Sequence, residues 1–473
     1  MSTAILRREV IEFRRDKRFL AVAAISVGLL LIAALDGWNR VDTEVRARAA
    51  AVEVDHEIWV NQGENNPHGA AHFARYAFRE APRLAAFDPG VFDFAGAAFW
   101  MEAHTQNPTT LRRAEDAAVR APFATISPAW VVQVMGTLAI ATVLFSAVAG
   151  ERERGTLRAL AAAGVSAQRF ALGKLGAILG LVAVLTITAF LVAIVPSLAS
   201  GTVSEISIPR LILMLSVYLM GLLAFAFVIL TISAQARSSS AAFNAAALTW
   251  LFVALLCPVF AGQVATTLFP DVDEQHLKND IQLRAQSPFW VGDAQEPAVA
   301  KMEQQVLAEF GAESFESLGF DREALILQAH EEFANEIYDE LYGALSQRHT
   351  DQDTVLRIAT LFSPVLAMQR LSSALAGTDL LAQQTFSEQA EQHRRRIIAQ
   401  LNRNMMMNAG DQGFEYKADR SLWEAIPDFA PVPPSISDVL RRYVPEFFVL
   451  ALWLLLGGIL ALRATRAAIG RGA

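Results

Sequence analysis

One cysteine, Cys257, stands in the whole 473-residue chain, and it lies inside an apolar run. An intramolecular disulfide is therefore excluded, and any part of the chain facing an oxidising compartment must fold on core packing alone. The G-x-x-x-x-G-K-[ST] phosphate loop is missing: Gly173 and Lys174 are followed by Leu175 and lack an earlier glycine at the right spacing. There is no G-x-S-x-G elbow, which leaves nucleophilic hydrolase chemistry without support. A concentrated basic surface is absent too, and a formal net charge of −8 argues against a nucleic-acid partner.

What the chain has in abundance is apolar sequence. Apolar residues make up 53% and charged residues only 19%, with a mean hydropathy of +0.31. Those values, and the alternation of charge-poor with charge-rich stretches, require that part of the chain sits in lipid. A spanning helix needs roughly 20 mainly apolar residues to cross about 30 Å of hydrocarbon. Six segments meet that need: 19–38, 128–149, three within 175–261, and 443–463.

Orientation follows from the placement of arginine and lysine. Arg7, Arg8, Arg14, Arg15, Lys17 and Arg18 precede the first segment, and Arg152, Arg154, Arg158, Arg169 and Lys174 lie between the second and third. Arg237 sits in the turn between the fourth and fifth, and Arg463, Arg466 and Arg471 follow the sixth. An even number of spans with both termini in the cytoplasm puts all four groups on one side. The basic lead-in 1–18 is expected to be retained, not cleaved, and to form an amphipathic interfacial helix with Leu6, Val10 and Phe13 on one face.

Two insertions, 39–127 and 262–442, then face outward together, which predicts one composite, mainly helical periplasmic domain. Helical spacing is read over 301–310, 322–348 and 386–407, and the proline-rich stretch 426–434 reads as an extended return to the last span, with 464–473 as a cytoplasmic tail. The expected fold class is thus a membrane all-α protein. Mid-membrane carboxylates, the mark of ion-coupled transport, are scarce: Glu446 and Arg210 fall near outer ends where they can reach the interface.

The segment 150–174, GERERGTLRALAAAGVSAQRFALGK, is the most informative. It begins with alternating charges, passes Gly155 and Thr156, and continues as a short amphipathic helix, a surface suited to docking in the cytoplasm. An ordinary positive-inside loop would not require Glu151 and Glu153. The run Glu151, Glu153, Arg154, Gly155, Thr156, Leu157, followed by Gly164, Val165, Ser166 and Gly173, Lys174, resembles the coupling-helix signature of ABC-2 type transporter permeases. Gly164 replaces the proline many members carry. The strings at 66–72 (NPHGAAH), 88–90, 102–107 (EAHTQN) and 361–379 resemble a subgroup with a large periplasmic domain of unknown function, related to permeases of copper-processing and multicopper-enzyme maturation systems.

That resemblance implies a non-catalytic subunit in the bacterial inner membrane that couples ATP hydrolysis elsewhere to export or to movement of a periplasmic domain. It implies a cytoplasmic ABC ATPase, which would hold the ATP and Mg, a second permease completing a dimer, surrounding lipid, and a periplasmic protein as a further partner. No cofactor is expected on this chain. The rival reading is a membrane-anchored periplasmic metal-binding or maturation protein. His68 and His72 are spaced i, i+4, with Glu102 and His104 in the same insertion, yet the Glu of H-E-x-x-H is missing and structural hydrogen bonding is the simpler assignment. Met405, Met406 and Met407 point in different directions on a helix and read as packing.

Overall fold

A computed structural model describes residues 2–73, 75–112 and 126–470. Six helices in it are long and apolar enough to cross a membrane: Lys17–Val60, Pro128–Glu153, Ala167–Ser200, Ile208–Gln235, Ser239–Leu268 and Val444–Gly470. The second and fourth are the most enclosed by the rest of the chain, whereas the first, third, fifth and sixth leave most of their apolar surface uncovered. Side chains such as Ile32, Leu191, Leu248 and Phe448 are exposed in this way, which is tolerable only where lipid or another chain covers them. Residues 2–15 and the end of the sixth span lie on one face, here the terminal face; both insertions emerge on the other.

Local sequence sets the boundaries of these helices. Asp16 caps the first span by accepting hydrogen bonds from the amides of Arg18 (2.9 Å) and Phe19 (3.2 Å). Ser127 with Pro128 begins the second, Ser166 the third and Ser238 the fifth. The second and fifth spans each contain a wide π-helical turn, at Val131–Gly136 and Phe252–Leu256. Donors reach the carbonyls in these turns: Trp250 Nε1 bonds Val134 O at 3.1 Å, and Ser363 Oγ bonds Val253 O at 2.7 Å.

The largest departure from expectation is the first span. Hydropathy confines it to 19–38, but the helix continues unbroken to Val60, 44 residues in all. At 1.5 Å per residue it is about 66 Å long, more than twice the hydrocarbon thickness. Its second half is a stalk carrying the charges of the first insertion, and both insertions hold it. Arg83 bonds Asp42 (3.3 Å) and Glu205 (2.6 Å), Arg75 bonds Asp55 (3.0 Å) and Asp428 (2.5 Å), and Arg40 pairs with Asp93. Trp59 Nε1 reaches the carbonyl of Trp423 at 3.0 Å, and Trp423 Nε1 reaches that of Gly63 at 2.8 Å.

The outward region is mainly helical, as expected, and includes one short strand pair. Arg75–Phe78 and Ala98–Met101 pair as a two-stranded antiparallel hairpin, with Tyr76 opposite Trp100. An apolar core of Trp59, Ala70, Phe99, Met101, Phe386, Ile397, Leu401 and Trp423 joins the two insertions. A second core, Phe289, Val299, Phe315, Leu325, Met405 and Met406, belongs to the later one, so two of the three consecutive methionines are packing residues; Met407 is exposed. The expected helices are longer than the sequence pattern indicated, at Gln295–Phe310, Arg322–Ala359 and Leu380–Asn408. Residues 427–435 have no helical structure, in keeping with an extended return.

One element of the second insertion is not outward at all. Pro364–Ala376 is a helix with Ser363 as N-cap and Gly377 (φ +75°) closing its end, and it packs among the fourth and sixth spans. Almost all of its residues are buried. Gly221 of the fourth span lets Met368 approach so closely that a Cβ there would lie 2.8 Å from its sulfur. This helix is a wedge between membrane and soluble parts.

Candidate functional sites

On the terminal face the segment following the second span forms the short helix Thr156–Ala162, entered through Gly155 in the left-handed region (φ +72°) and left through Gly164 (φ +76°). Glycine is the residue that adopts both turns without a Cβ penalty. The structure divides the six expected coupling residues into two groups. Leu157 is buried against the membrane part, and Glu151 is fully enclosed. Thr156 Oγ1 donates to the Glu151 carbonyl at 2.9 Å. Glu153 and Arg154 are exposed, as are Arg158, Ala159, Ala162, Ala163 and Gly164. Glu153 is not idle: it accepts from Ser239 through the amide (2.8 Å) and hydroxyl (2.6 Å), tying the segment to the start of the fifth span.

Beneath that helix lies a node that spacing alone did not reveal. Lys174 Nζ, at the base of the third span, donates to Glu151 Oε1 (2.7 Å), Glu9 Oε1 (2.7 Å) and the carbonyl of Ala147 (2.5 Å). All three side chains are buried. The ammonium has three donors and three acceptors, the condition under which a buried cation is tolerated. Burial pushes the Glu9 carboxyl up, against the pull of Lys174. Ser2–Arg15 is helical as expected, but its inner face is Glu9 and Phe13, while Leu6 and Val10 stay exposed. The signal in the sequence was the pair of acids Glu9 and Glu12 in a mainly basic and apolar helix, of which Glu12 is taken by Arg8 and Glu9 turns inward.

A second ionic node lies where the wedge meets the spans. Arg370 donates to both oxygens of Asp353 (2.7 and 3.1 Å) and to Glu446 (2.8 Å), and Arg357 reaches Glu446 at 3.1 Å. Glu446, read from the sequence as able to reach the interface, is instead completely buried in this network. Arg210 does sit at an outer end, and its guanidinium caps the wedge carbonyls of Ala374 and Leu375 and bonds that of Pro434. Deeper in, Gln133 bonds Tyr218 (2.7 Å), which meets Ser372 at 2.9 Å. A cavity of about 1380 Å³ opens above, lined by Asp88, Asp353, Arg370, Asp379, Gln383 and Tyr443 among others.

The outward region brings the sequence-singled histidines together. His68 and His72 lie on Pro67–Phe73, with their Nε2 atoms 3.1 Å apart, and His104 Nε2 is 3.4 Å from that of His68. Two residues from the second insertion complete the group. Glu331 Oε1 stands 2.9 Å from His104 Nδ1 and accepts the His104 amide at 2.6 Å, and His330 Nδ1 is 2.9 Å from His104 Nδ1. Burial would raise the Glu331 carboxyl, but hydrogen bonds from His104 and the charge of Arg394, 3.1 Å away, hold it down at about 2. Burial, with His104 beside them, lowers His68 and His330 to about 4. Glu102 is engaged by Asn107 (2.8 Å). Sequence spacing found the i, i+4 pair; His330 and Glu331 were invisible to it because more than 220 residues separate them from His68, His72 and His104.

The model of the ABC-2 family transporter protein matches residues 3–310, and a domain of unknown function, DUF3526, matches residues 276–431. No curated protein and no solved structure matches the chain.

Proposed function

The chain belongs to the ABC-2 family of transporter proteins, and from that premise we propose that it is a membrane subunit which converts nucleotide-driven movement at its terminal face into movement of its outward region. Membership implies an ABC transporter with a partner ATPase subunit. In the proposal that ATPase sits in the cytoplasm, binds the ATP and Mg, and grips the exposed side of 153–164, with Arg154, Arg158 and the small residues Ala159, Ala162 and Ala163 at the contact. Two permease units, identical or related, pack side by side over the ATPases, and the uncovered apolar spans supply the surface for that contact and for lipid.

The observation that carries this reading is the Lys174 node. Through one ammonium the docking segment (Glu151), the end of the second span (Ala147), the base of the third span and the N-terminal helix (Glu9) share hydrogen bonds. A push on Thr156–Ala162 therefore cannot move one of these elements alone. The stalk and the wedge extend the connection: the first span is a single helix from the terminal face to the histidine-bearing region, and Arg370 locks the wedge to Asp353 and Glu446. An outward domain of this size, fastened so firmly to the spans, favours mechanical transmission over simple extrusion.

The test is a cysteine scan in a Cys257→Ser background. Arg158→Cys and Ala162→Cys should crosslink to the ATPase encoded with the chain, while a cysteine at the lipid-exposed Val259 should not. No crosslink at either docking position contradicts the assignment. In liposomes, ATP-dependent passage of a solute without any change in the outward region would favour export instead.

A further inference from the structure

We propose that His68, His72 and His104 bind one divalent first-row transition-metal ion, zinc or copper(II), through their three Nε2 atoms. Three imidazoles around a tetrahedral ion with bonds of 2.0–2.1 Å have nitrogens about 3.3–3.4 Å apart. The separations of 3.1 and 3.4 Å already approach that spacing, and one ligand atom from each of the three residues lies within 4.8 Å of the others. Imidazole nitrogen suits zinc and copper and is a poor ligand for calcium or magnesium, which require oxygen.

The surroundings are those of a ligand set. His104 has Glu331 at its Nδ1, the arrangement in which a carboxylate fixes the tautomer and leaves Nε2 with its lone pair free for a metal. The same residue is held from the second insertion at three more points: its amide donates to Glu331, and its carbonyl accepts from Tyr338 (2.6 Å) and Gln286 (2.6 Å). Its backbone lies in the left-handed region (φ +62°), costly for a residue with a Cβ and maintained only because these contacts overdetermine it. Strain of this kind is spent where a side chain must be aimed.

Without a cation the cluster is poorly satisfied. Two neutral imidazoles can share one proton between facing nitrogens, but a third nitrogen aimed at the same point meets a lone pair or a second proton. His68 is also in contact with the Asn402 side chain of the second insertion, which can fix its tautomer. An ion at the centre uses all three lone pairs and leaves a fourth position on the side of exposed His72 for water or a further ligand. The alternative trio of His104, His330 and Glu331 is the weaker choice because Arg394 already neutralises Glu331.

Such a site would depend on both insertions, since the ligands come from the first and the aiming contacts from the second. Its occupancy is independent of whether an ATPase docks on the terminal face. The experiment uses the full-length protein in detergent, purified through a tag without histidine, stripped with chelator, and titrated separately with Zn²⁺ and Cu²⁺. Elemental analysis after gel filtration should give one ion per chain for at least one of the two, with a thermal midpoint that rises with the free ion concentration. Co²⁺ loaded at the same site should show the visible absorption of a low-coordinate nitrogen site.

His72→Ala removes an exposed ligand and should fold normally in metal-free buffer, yet bind at least about tenfold more weakly, whereas His276→Ala should bind as the parent does. Stoichiometric binding of either ion that depends on His72 upholds the site and identifies the ion. Binding below one per chain for both ions, or equal binding by His72→Ala and the parent, overturns it.

Discussion

Lys174 carries a charge in a place where charge is expensive, and the residues around it explain why it is kept. Removing one partner of a buried ion group costs about 3–5 kcal/mol because the others are left unpaired. Lys174→Met should therefore lower the thermal midpoint sharply in detergent, and more than Glu9→Gln, which leaves Glu151 to hold the ammonium. Equal effects would show that the node is not centred on the lysine. The sequence could place Glu151, Glu153 and Arg154 in a docking segment, but not say which of them face inward. That depends on which side of the turn Ala149–Glu153 packs over Lys174 and which side meets the start of the fifth span.

Asp88 offers a titration instead. Burial raises its carboxyl to about 6, while hydrogen bonds from Ser372 and from the Gly90 amide (3.1 Å) pull it down only partly. A group whose pKa is raised on folding stabilises the fold fully below its unfolded value, near 4, and loses that contribution as pH rises through about 6. Asp88→Asn keeps an oxygen for the Gly90 amide and removes the charge. It should be near neutral at pH 4 and stabilising at pH 8, by up to about 3 kcal/mol at one pKa unit per 1.36 kcal/mol. A variant whose melting curve tracks the parent at both pH values would contradict this.

At the scale of elements, six spans were legible because a lipid-crossing helix leaves the coarsest signal a sequence can carry: twenty apolar residues in a row. The stalk was not, because past Asp36 the same helix alternates charge with apolar residues, and hydropathy reads that change as an exit from the helix instead of an exit from the membrane. The wedge escaped for the opposite reason. Its thirteen residues are too few to span, so the run at 361–379 was read as part of the outward insertion although Arg370 inside it was an intramembrane-type charge waiting for partners. The hairpin was missed because its strands are four residues long.

Close approach between elements can be tested with glycines. A Cβ on Gly37 of the first span would lie 2.3 Å from the carbonyl oxygen of Ala86, a backbone atom that cannot swing aside, whereas one on Gly28 meets nothing within 4 Å. Gly37→Ala should cost about 1–3 kcal/mol by overpacking. Gly28→Ala should be neutral or slightly stabilising, as helix propensity favours alanine by about 1 kcal/mol. Paired thermal melts distinguish the two, and similar melts would mean that the stalk is not seated against the turn Arg83–Ala86.

Across the whole molecule, two ionic nodes stand at the two ends of the packed spans. Lys174 gathers the docking segment, the N-terminal helix and the third span on the terminal face, and Arg370 gathers the wedge, the long helix Arg322–Ala359 and the sixth span on the other. Between them the most enclosed spans, the second and fourth, pack on the wedge through Gln133, Tyr218, Gly221 and Ser372. Packed interiors shift between discrete arrangements and do not deform gradually. Charge pattern gave the orientation and hydropathy the spans, but the path joining the two faces is built from residues far apart in sequence and becomes visible only in three dimensions.

The central claim is that events at the docking segment reach the outward region. Hydrogen–deuterium exchange on the complete complex, nucleotide-free against ATP and vanadate-trapped, measures it directly. The account predicts altered exchange in 150–166, in the wedge segment 361–379 and in the outward segment 98–107, with Lys174→Met abolishing the changes in the last two while the docking segment still responds. Changes confined to 150–166 in the parent protein would contradict it.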